Sequence, residues 1–106
     1  MNRSKYRAIP TVIDGIRFDS KKEAKRYQDL KLLERAGKIR NLVVDKKCLK
    51  YSLDANGVHI CNYVADFGYV EDGKLVIEDA KGFKTPVYKL KKKLMKAIHG
   101  IEIQEV

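Results

Sequence analysis

The chain has 106 residues, of which 44% are hydrophobic and 35% charged, which excludes a disordered tail and a two-domain protein and fits one compact domain. Lysine and arginine number 23 against 14 acidic residues, and this formal net charge of +9 favours a polyanionic partner such as nucleic acid. Basic soluble proteins and proteins of anionic membrane surfaces share such a charge, so the charge selects a class of partner and no reaction.

The sequence supports neither a membrane protein nor a zinc-binding protein. No segment approaches the roughly 18 apolar residues of a membrane span, and the opening MNRSKYRAIP has basic residues without an apolar run behind them. Cys48 and Cys61 form neither a CxxC pair nor a cysteine–histidine cluster. We therefore expect a cytoplasmic protein with free thiols, no zinc site and no membrane partner.

The first predicted elements are a basic arm, a hairpin and a helix. Residues 1–7 either lie on DNA as an arm or fray. Residues 8–18 hold two short apolar runs around Asp14-Gly15, a pair typical of a two-residue β-hairpin turn. A helix follows and ends at Gly37. Its apolar residues at helical spacing are Ala24, Tyr27, Leu30, Leu33 and Ala36.

Three antiparallel strands are predicted next. Residues 39–50 indicate an extended strand with a bend or bulge at residues 45–47, and residues 58–70 indicate one long strand. The turn at Asp72-Gly73 leads into a third strand over residues 74–81.

A second helix begins near Pro86 and ends at Gly100, and residues 101–106 alternate apolar and polar residues as a final strand does. The predicted fold class is therefore α/β (α+β), with residues 19–106 forming an αβββαβ core in which two helices flank a mixed central sheet. The predicted apolar face of the second helix consists of Val87, Leu90, Leu94, Ala97 and Ile98.

Asp66 interrupts an otherwise apolar strand pattern, Tyr63-Val64-Ala65-Asp66-Phe67, and a carboxylate placed there requires a cation. The two-residue period of a strand puts Asp66 on one face with Gly68, where the missing side chain leaves open space. The alternative is an aspartate at a strand edge or bulge that is exposed to water.

Asp79 and Lys81 follow three apolar β-formers at the end of the next strand. Strand period points these two side chains one way and Glu78 the other. Asp66 and Asp79 lie on strands joined by a tight turn, so their carboxylates can meet across the sheet. Such a pair suits Mg²⁺, although Lys81 could also neutralise it as a structural ion pair.

Glu23 belongs to the core-facing stripe of the first helix and could reach the strands. The segment Ser20-Lys21-Lys22-Glu23 also has the form of a capping box, in which Glu23 only bonds back to the helix start. Local sequence favours neither interpretation.

Six lysines lie between residues 84 and 96 with no acidic residue among them. Several share a helical ridge that can reach successive phosphates, and contacts of this kind carry no base code. The alternative is a solvated face that keeps the protein soluble. The predicted DNA-binding residues are Lys84, Lys89, Lys92, Lys93 and Lys96.

The combination of Glu23, Asp66 and Asp79-Ala80-Lys81, followed by a basic helix, resembles the PD-(D/E)XK nuclease superfamily. The closer resemblance is to a family of small phage and prophage proteins within it that are similar to Holliday-junction resolvases. It is carried by residues 19–24, 63–67 and 78–82 (DSKKEA, YVADF and EDAKG) and covers nearly the whole chain. The match departs at Ala65, which stands at the motif's proline.

This resemblance implies a restriction-endonuclease-like core and an endodeoxyribonuclease dependent on Mg²⁺ or Mn²⁺. The substrate would be branched or junction DNA in phage recombination, replication or packaging, in the cytoplasm of a bacterial host. Asp66 and Asp79 would be metal ligands, Glu23 a further ligand directly or through water, and Lys81 the partner of the attacking water. A catalytically inactive DNA-binding accessory module is the alternative. Because cutting two strands usually takes two active sites, we also expect a homodimer.

Overall fold

The computed structural model describes residues 9–106, so the predicted arm of residues 1–7 lies outside the described residues. An antiparallel hairpin of β1 (Thr11–Ile13) and β2 (Ile16–Phe18) opens the described chain. Asp14 and Gly15 form its turn with φ angles of 55° and 74°, the left-handed values that this tight turn requires. The predicted hairpin is therefore confirmed from residue 9 onward.

The predicted first helix is α1 (Lys21–Arg35). Ser20 caps it, since its side-chain oxygen accepts a hydrogen bond of 3.1 Å from the backbone N–H of Glu23. The buried face of α1 carries Ala24, Tyr27 and Leu30, as the helical spacing predicted. This face packs on a cluster that includes Phe67.

Five strands follow α1 where three were predicted. They are β3 (Arg40–Val43), β4 (Lys50–Ala55), β5 (Val58–Val64), β6 (Phe67–Glu71) and β7 (Lys74–Asp79).

The predicted strands over residues 39–50 and 58–70 were wrong in the same way. In place of each predicted strand, the structure has two strands that belong to different sheets. The first stops at Val43, turns and restarts as β4, which within residues 9–106 pairs only with β5. The second breaks at residues 65–66, where the chain leaves the β4–β5 hairpin and joins the central sheet. The hydrogen bonds at that break run to different partners, from Ala65 N to Leu49 O at 3.0 Å and from Asp66 N to Glu78 O at 3.1 Å.

The second helix, α2 (Pro86–Leu94), continues as a π-helical turn (Met95–His99) and stops at Gly100, whose φ of 68° is left-handed. Its predicted apolar face was wrong except for Leu94, which packs against the core. Val87 and Leu90 are 61% and 57% exposed, while Tyr88 and Met95 are buried. The spacing of the aliphatic residues predicted the wrong positions because the side chains of Tyr88 and Met95, two turns apart, have the shapes that fill the core.

The final strand, β8 (Gln104–Glu105), pairs parallel to β7, so the central sheet β3-β6-β7-β8 is mixed. One face of this sheet packs on α1 and the first hairpin, and its other face packs on β4, β5 and α2. Apart from the inserted β4–β5 hairpin, the core follows the predicted order of helix, three strands, helix and strand. Within residues 9–106, no helix combines the length and apolar character that crossing a membrane requires.

Candidate functional site

Asp66 and Asp79 meet at one edge of the central sheet. Asp66 immediately precedes β6 and Asp79 ends β7, and the antiparallel register that pairs Phe67 with Glu78 sets the two aspartates opposite each other. The backbone N–H of Ala80 donates a hydrogen bond of 2.9 Å to Asp66 Oδ2. The predicted convergence of these two carboxyl groups is thus present in the fold.

The two carboxyl groups differ in protonation. Burial, together with the hydrogen bond and charge of Asp66, raises the pKa of Asp79 to about 7. Burial also acts upward on Asp66, but its hydrogen bonds with Asp79 and Ala80 and the charge of Lys46 outweigh burial and lower its pKa. Without a bound cation the pair therefore shares one proton below about pH 7, and Asp79 is the group that favours the protonated form.

Asp79 is held by a tyrosine on one oxygen and left open on the other. The phenol of the buried Tyr63 donates a hydrogen bond to Asp79 Oδ2, and burial and this carboxylate raise the pKa of the phenol so that it stays protonated. Asp79 Oδ1 is buried and receives no hydrogen bond from the described residues. Lys81 Nζ lies 3.5 Å from this open oxygen.

Lys81 is fixed by an aromatic ring and by the helix start. Its ammonium lies 5.1 Å from the ring centroid of Tyr88, within range for a cation–π contact. Its carbonyl accepts a hydrogen bond of 2.9 Å from Lys22 Nζ, which ties the first turn of α1 to this edge of the sheet.

Glu23 reaches the same edge through a lysine. The Lys46 ammonium lies 3.2 Å from Glu23 Oε1 and 3.0 Å from Asp66 Oδ1. Burial and the neighbouring Asp66 raise the pKa of Glu23, and Lys46 offsets this only in part. Ser20 caps the N–H of Glu23, but among the described residues the Glu23 carboxylate does not bond back to the helix start and instead binds Lys46 in the candidate site.

Glu78 lies on the other face of the sheet, as the strand period indicated. Arg26 of α1 binds it through two nitrogens, Nε at 2.9 Å and Nη2 at 2.6 Å, and the phenol of Tyr69 donates a further hydrogen bond. Glu78 is 1% exposed, and this bidentate pairing gives its carboxylate a structural role in joining α1 to β7.

The predicted open space beside Asp66 was wrong. A Cβ atom added at Gly68 would lie 3.0 Å from the Leu49 side chain and 3.3 Å from that of Ile77. Gly68 is therefore required for close packing of the β3–β4 turn on the sheet, and it leaves no room for a ligand.

The predicted DNA-binding lysines surround one groove of about 450 Å³. Glu102 and Glu105 line it as well, and Glu105 lies 3.2 Å from Lys92 and 3.5 Å from Lys84. Tyr88 connects this groove to the aspartate pair, because its hydroxyl donates a hydrogen bond of 2.8 Å to Glu105 Oε2. The lysines of the groove are Lys84, Lys89, Lys92, Lys93 and Lys96.

The site offers a metal ion two neighbouring carboxylates and not three. Among residues 9–106, no group of three or more histidine, cysteine or acidic side chains is close enough to hold an ion. Asp66 and Asp79 fit an ion through the open Asp79 Oδ1, a buried oxygen of the type that Mg²⁺ prefers. Glu23 is separated from the pair by the Lys46 ammonium.

Two residues of this site were missed from sequence. Lys46 lies in a loop beside the similar Lys47, and nothing local distinguishes them. Tyr63 lies in an apolar strand pattern, where an aromatic residue is ordinary core. Its partner Asp79 lies 16 residues further along the chain, so no local signal identified this contact.

The chain was compared with known proteins. The model of a family described as a protein of unknown function (DUF1064) matches residues 3–104. No curated protein and no solved structure matches. Because the family match spans nearly the whole chain, this protein belongs to the DUF1064 family.

Proposed function

We propose that this protein is an endodeoxyribonuclease dependent on Mg²⁺ or Mn²⁺, with a core of the PD-(D/E)XK type. The observation that carries the proposal is the aspartate pair at the end of β7, where Lys81 Nζ lies 3.5 Å from the open oxygen of Asp79. The lysine groove adjoins this pair through Tyr88. Carboxylates, an ammonium and a phosphate-binding surface together suit phosphodiester hydrolysis.

The chain's own groups would divide the chemistry as follows. Asp66 and Asp79 would release their shared proton to solvent and together hold the cation, while Tyr63 fixes Asp79 in position. Lys81 would donate a hydrogen bond to the attacking water or stabilise the negative charge that develops on the phosphate. A bound divalent ion supplies Lewis-acid polarisation of the phosphate and a lower pKa for the attacking water.

The groove favours selection of DNA by structure over reading of sequence. Its five lysines can contact phosphates, which are the same for every base, and the described residues that line the groove are lysines and glutamates, without amide or guanidinium groups. We propose branched or junction DNA as the substrate, cut by a homodimer.

The test compares cleavage with binding in Asp79→Asn. We expect cleavage to fall by at least about a hundredfold, since even indirect partners of metal ligands contribute about ten- to a hundredfold. DNA binding should persist. The assay uses labelled junctions, forks, flaps, nicked and plain duplexes with Mg²⁺, Mn²⁺ or EDTA.

Asp72→Asn is the matched control, because it makes the same chemical change in the exposed turn at the other end of β7, where φ is 52° and asparagine is tolerated. It should cut as the wild type does. A wild type that binds these DNAs and cuts none of them with either metal would contradict the proposal.

A catalytically inactive DNA-binding module of the same fold is the second candidate. One observation favours it, namely that the Lys46 ammonium already neutralises Glu23 and Asp66. In that case the acids only balance lysines, and Asp79→Asn has no activity to lose. Salt-sensitive DNA binding without metal-dependent cleavage would support this module over the nuclease.

A further inference from the structure

Lys46 occupies the position between two carboxylates that a cation would take. Its Nζ lies 3.2 Å from Glu23 Oε1 and 3.0 Å from Asp66 Oδ1, and these carboxylate side chains are only 7% and 13% exposed. The second oxygen of Asp66 is engaged by the N–H of Ala80. Lys46 therefore contacts the one Asp66 oxygen that the backbone leaves free.

The backbone that carries Lys46 is held without help from its side chain. Cys48 N donates to Asp45 O at 2.9 Å, Leu49 N to Lys46 O at 3.2 Å, and Lys47 N to Asp45 Oδ1 at 3.0 Å. Leu49 is buried and anchors the end of this turn. The Lys46 side chain, which is 45% exposed, can thus swing outward on its flexible stem while the turn stays folded.

We propose that Lys46 competes with the divalent ion for this site. In the metal-free protein its ammonium holds Glu23 and Asp66 together, and the ammonium moves away when the ion binds. The inference rests on the proposed function, because it assumes a metal at Asp66 and Asp79. An ammonium 3 Å from a ligand oxygen would lie within a few ångströms of the ion, at a distance where like charges repel strongly in a partly buried site. Lys46 thereby weakens metal binding and sets the metal concentration at which the site fills.

The test measures metal binding directly. Mn²⁺ is titrated into wild type, Lys46→Met and Lys46→Gln, and free Mn²⁺ is followed by electron paramagnetic resonance, with Mg²⁺ as the competing ion. Both neutral variants should bind Mn²⁺ with a Kd about tenfold lower than that of the wild type, a difference of about 1.4 kcal/mol. Lys46→Arg should stay close to the wild type, because it keeps the charge.

Lys47→Met is the matched control, since Lys47 lies in the same turn, is exposed and forms no ion pair within the described chain. It removes the same charge from the molecule and should leave the Kd for Mn²⁺ unchanged. A tenfold gain in Lys47→Met as well would overturn the proposal, because the effect would then come from net charge.

Thermal unfolding gives a second readout. In EDTA, the neutral Lys46 variants should unfold at a lower temperature than the wild type, since Glu23 and Asp66 then face each other without an ammonium. Saturating Mn²⁺ should raise their unfolding temperature by more than it raises that of the wild type. An equal rise in all variants would contradict the competition.

The outcomes separate this inference from the proposed function. If the wild type binds Mn²⁺ and cuts DNA while Lys46→Met has the same Kd, only the role of Lys46 is overturned. If no variant binds Mn²⁺ and none cuts DNA, the proposed nuclease is overturned together with it.

Discussion

The two neighbouring carboxyl groups of the site, Asp66 and Asp79, have opposite electrostatic behaviour. Asp66 receives an N–H from Ala80 and an ammonium from Lys46, so its charged form is favoured. Asp79 is 0% exposed, and its burial and the neighbouring Asp66 raise its pKa by more than Tyr63 and Lys81 lower it, so its neutral form is favoured in the absence of a cation. If the proposed metal binds here, it would replace one proton.

The protonation of Asp79 predicts that the metal-free protein loses stability as the pH rises. The unfolded chain releases this proton near pH 4, whereas the folded chain keeps it to about pH 7. Between these values the folded state binds more protons, so the free energy of unfolding falls, by on the order of 4 kcal/mol. Urea unfolding in EDTA at several pH values measures the slope.

Asp66 does not cancel this effect, because its lowered pKa acts only below about pH 4, where its stabilisation is lost as the pH falls. Asp79→Asn serves as the reference, since it cannot titrate at this position. A wild type whose stability follows the same curve as Asp79→Asn between about pH 4.5 and 7.5 would show that Asp79 is ionised throughout.

The site residues that sequence could identify are those that break a local pattern. Asp66 and Asp79 stand out because carboxylates in strands conflict with burial, and Lys81 follows from the same strand period. Lys46 and Tyr63 reach the site through tertiary contacts between distant segments. No periodicity encodes these contacts, because the side chains look ordinary in their own segments.

The proposed DNA binding depends on the lysines of α2, and the salt dependence of binding can test it. Lys89 and Lys93 line the groove without ion pairs within the described chain, so their charges are free for phosphates. Replacing both with alanine should reduce the slope of log K against log salt by about two, since each phosphate contact contributes about 0.9. Fluorescence anisotropy of a labelled duplex in EDTA at about 50 to 200 mM KCl measures the slope.

The control for this prediction is the pair Lys38→Ala and Lys74→Ala. Lys74 begins β7 at the end opposite Asp79, and Lys38 follows the end of α1, so both charges lie away from the groove. They should leave the slope unchanged. Equal losses in the two double variants would mean that DNA binds the overall positive field and not the groove.

The elements with strong local signals and the β6–β7 pairing through the Asp72-Gly73 turn were predicted correctly, whereas the separate β4–β5 pairing was not. The α1 stripe and the Asp14-Gly15 turn are encoded within a few residues. The separation of β4 and β5 from the central sheet depends on where Ala65 and Asp66 find their partners, which involves residues far along the chain. A continuous stretch of residues that favour strands does not show where the chain leaves one sheet and joins another.

The whole molecule has an exposed apolar surface next to its basic groove. Val87 and Leu90 are exposed on α2, and Ile98 is 36% exposed on the π-helical turn that continues it. Surfaces of this kind mark interfaces more often than scattered single residues do. Pairing of two copies through α2 would set two lysine grooves side by side, because the groove and the apolar surface share this helix.

This arrangement leads to a prediction about oligomeric state. One chain supplies one aspartate pair, and cutting both strands of a junction takes two, so we expect a twofold dimer that buries Val87 and Leu90. Light scattering after size exclusion should give twice the chain mass for the wild type and for Leu32→Glu, which alters a leucine of α1 that is 62% exposed. Leu90→Glu should be a monomer with unchanged circular dichroism, since a charge is tolerated on a free surface and disfavoured in an apolar interface. A monomeric wild type at micromolar concentration, or a Leu90→Glu variant that stays dimeric, would remove α2 as the interface and require each strand to be cut by separate binding events.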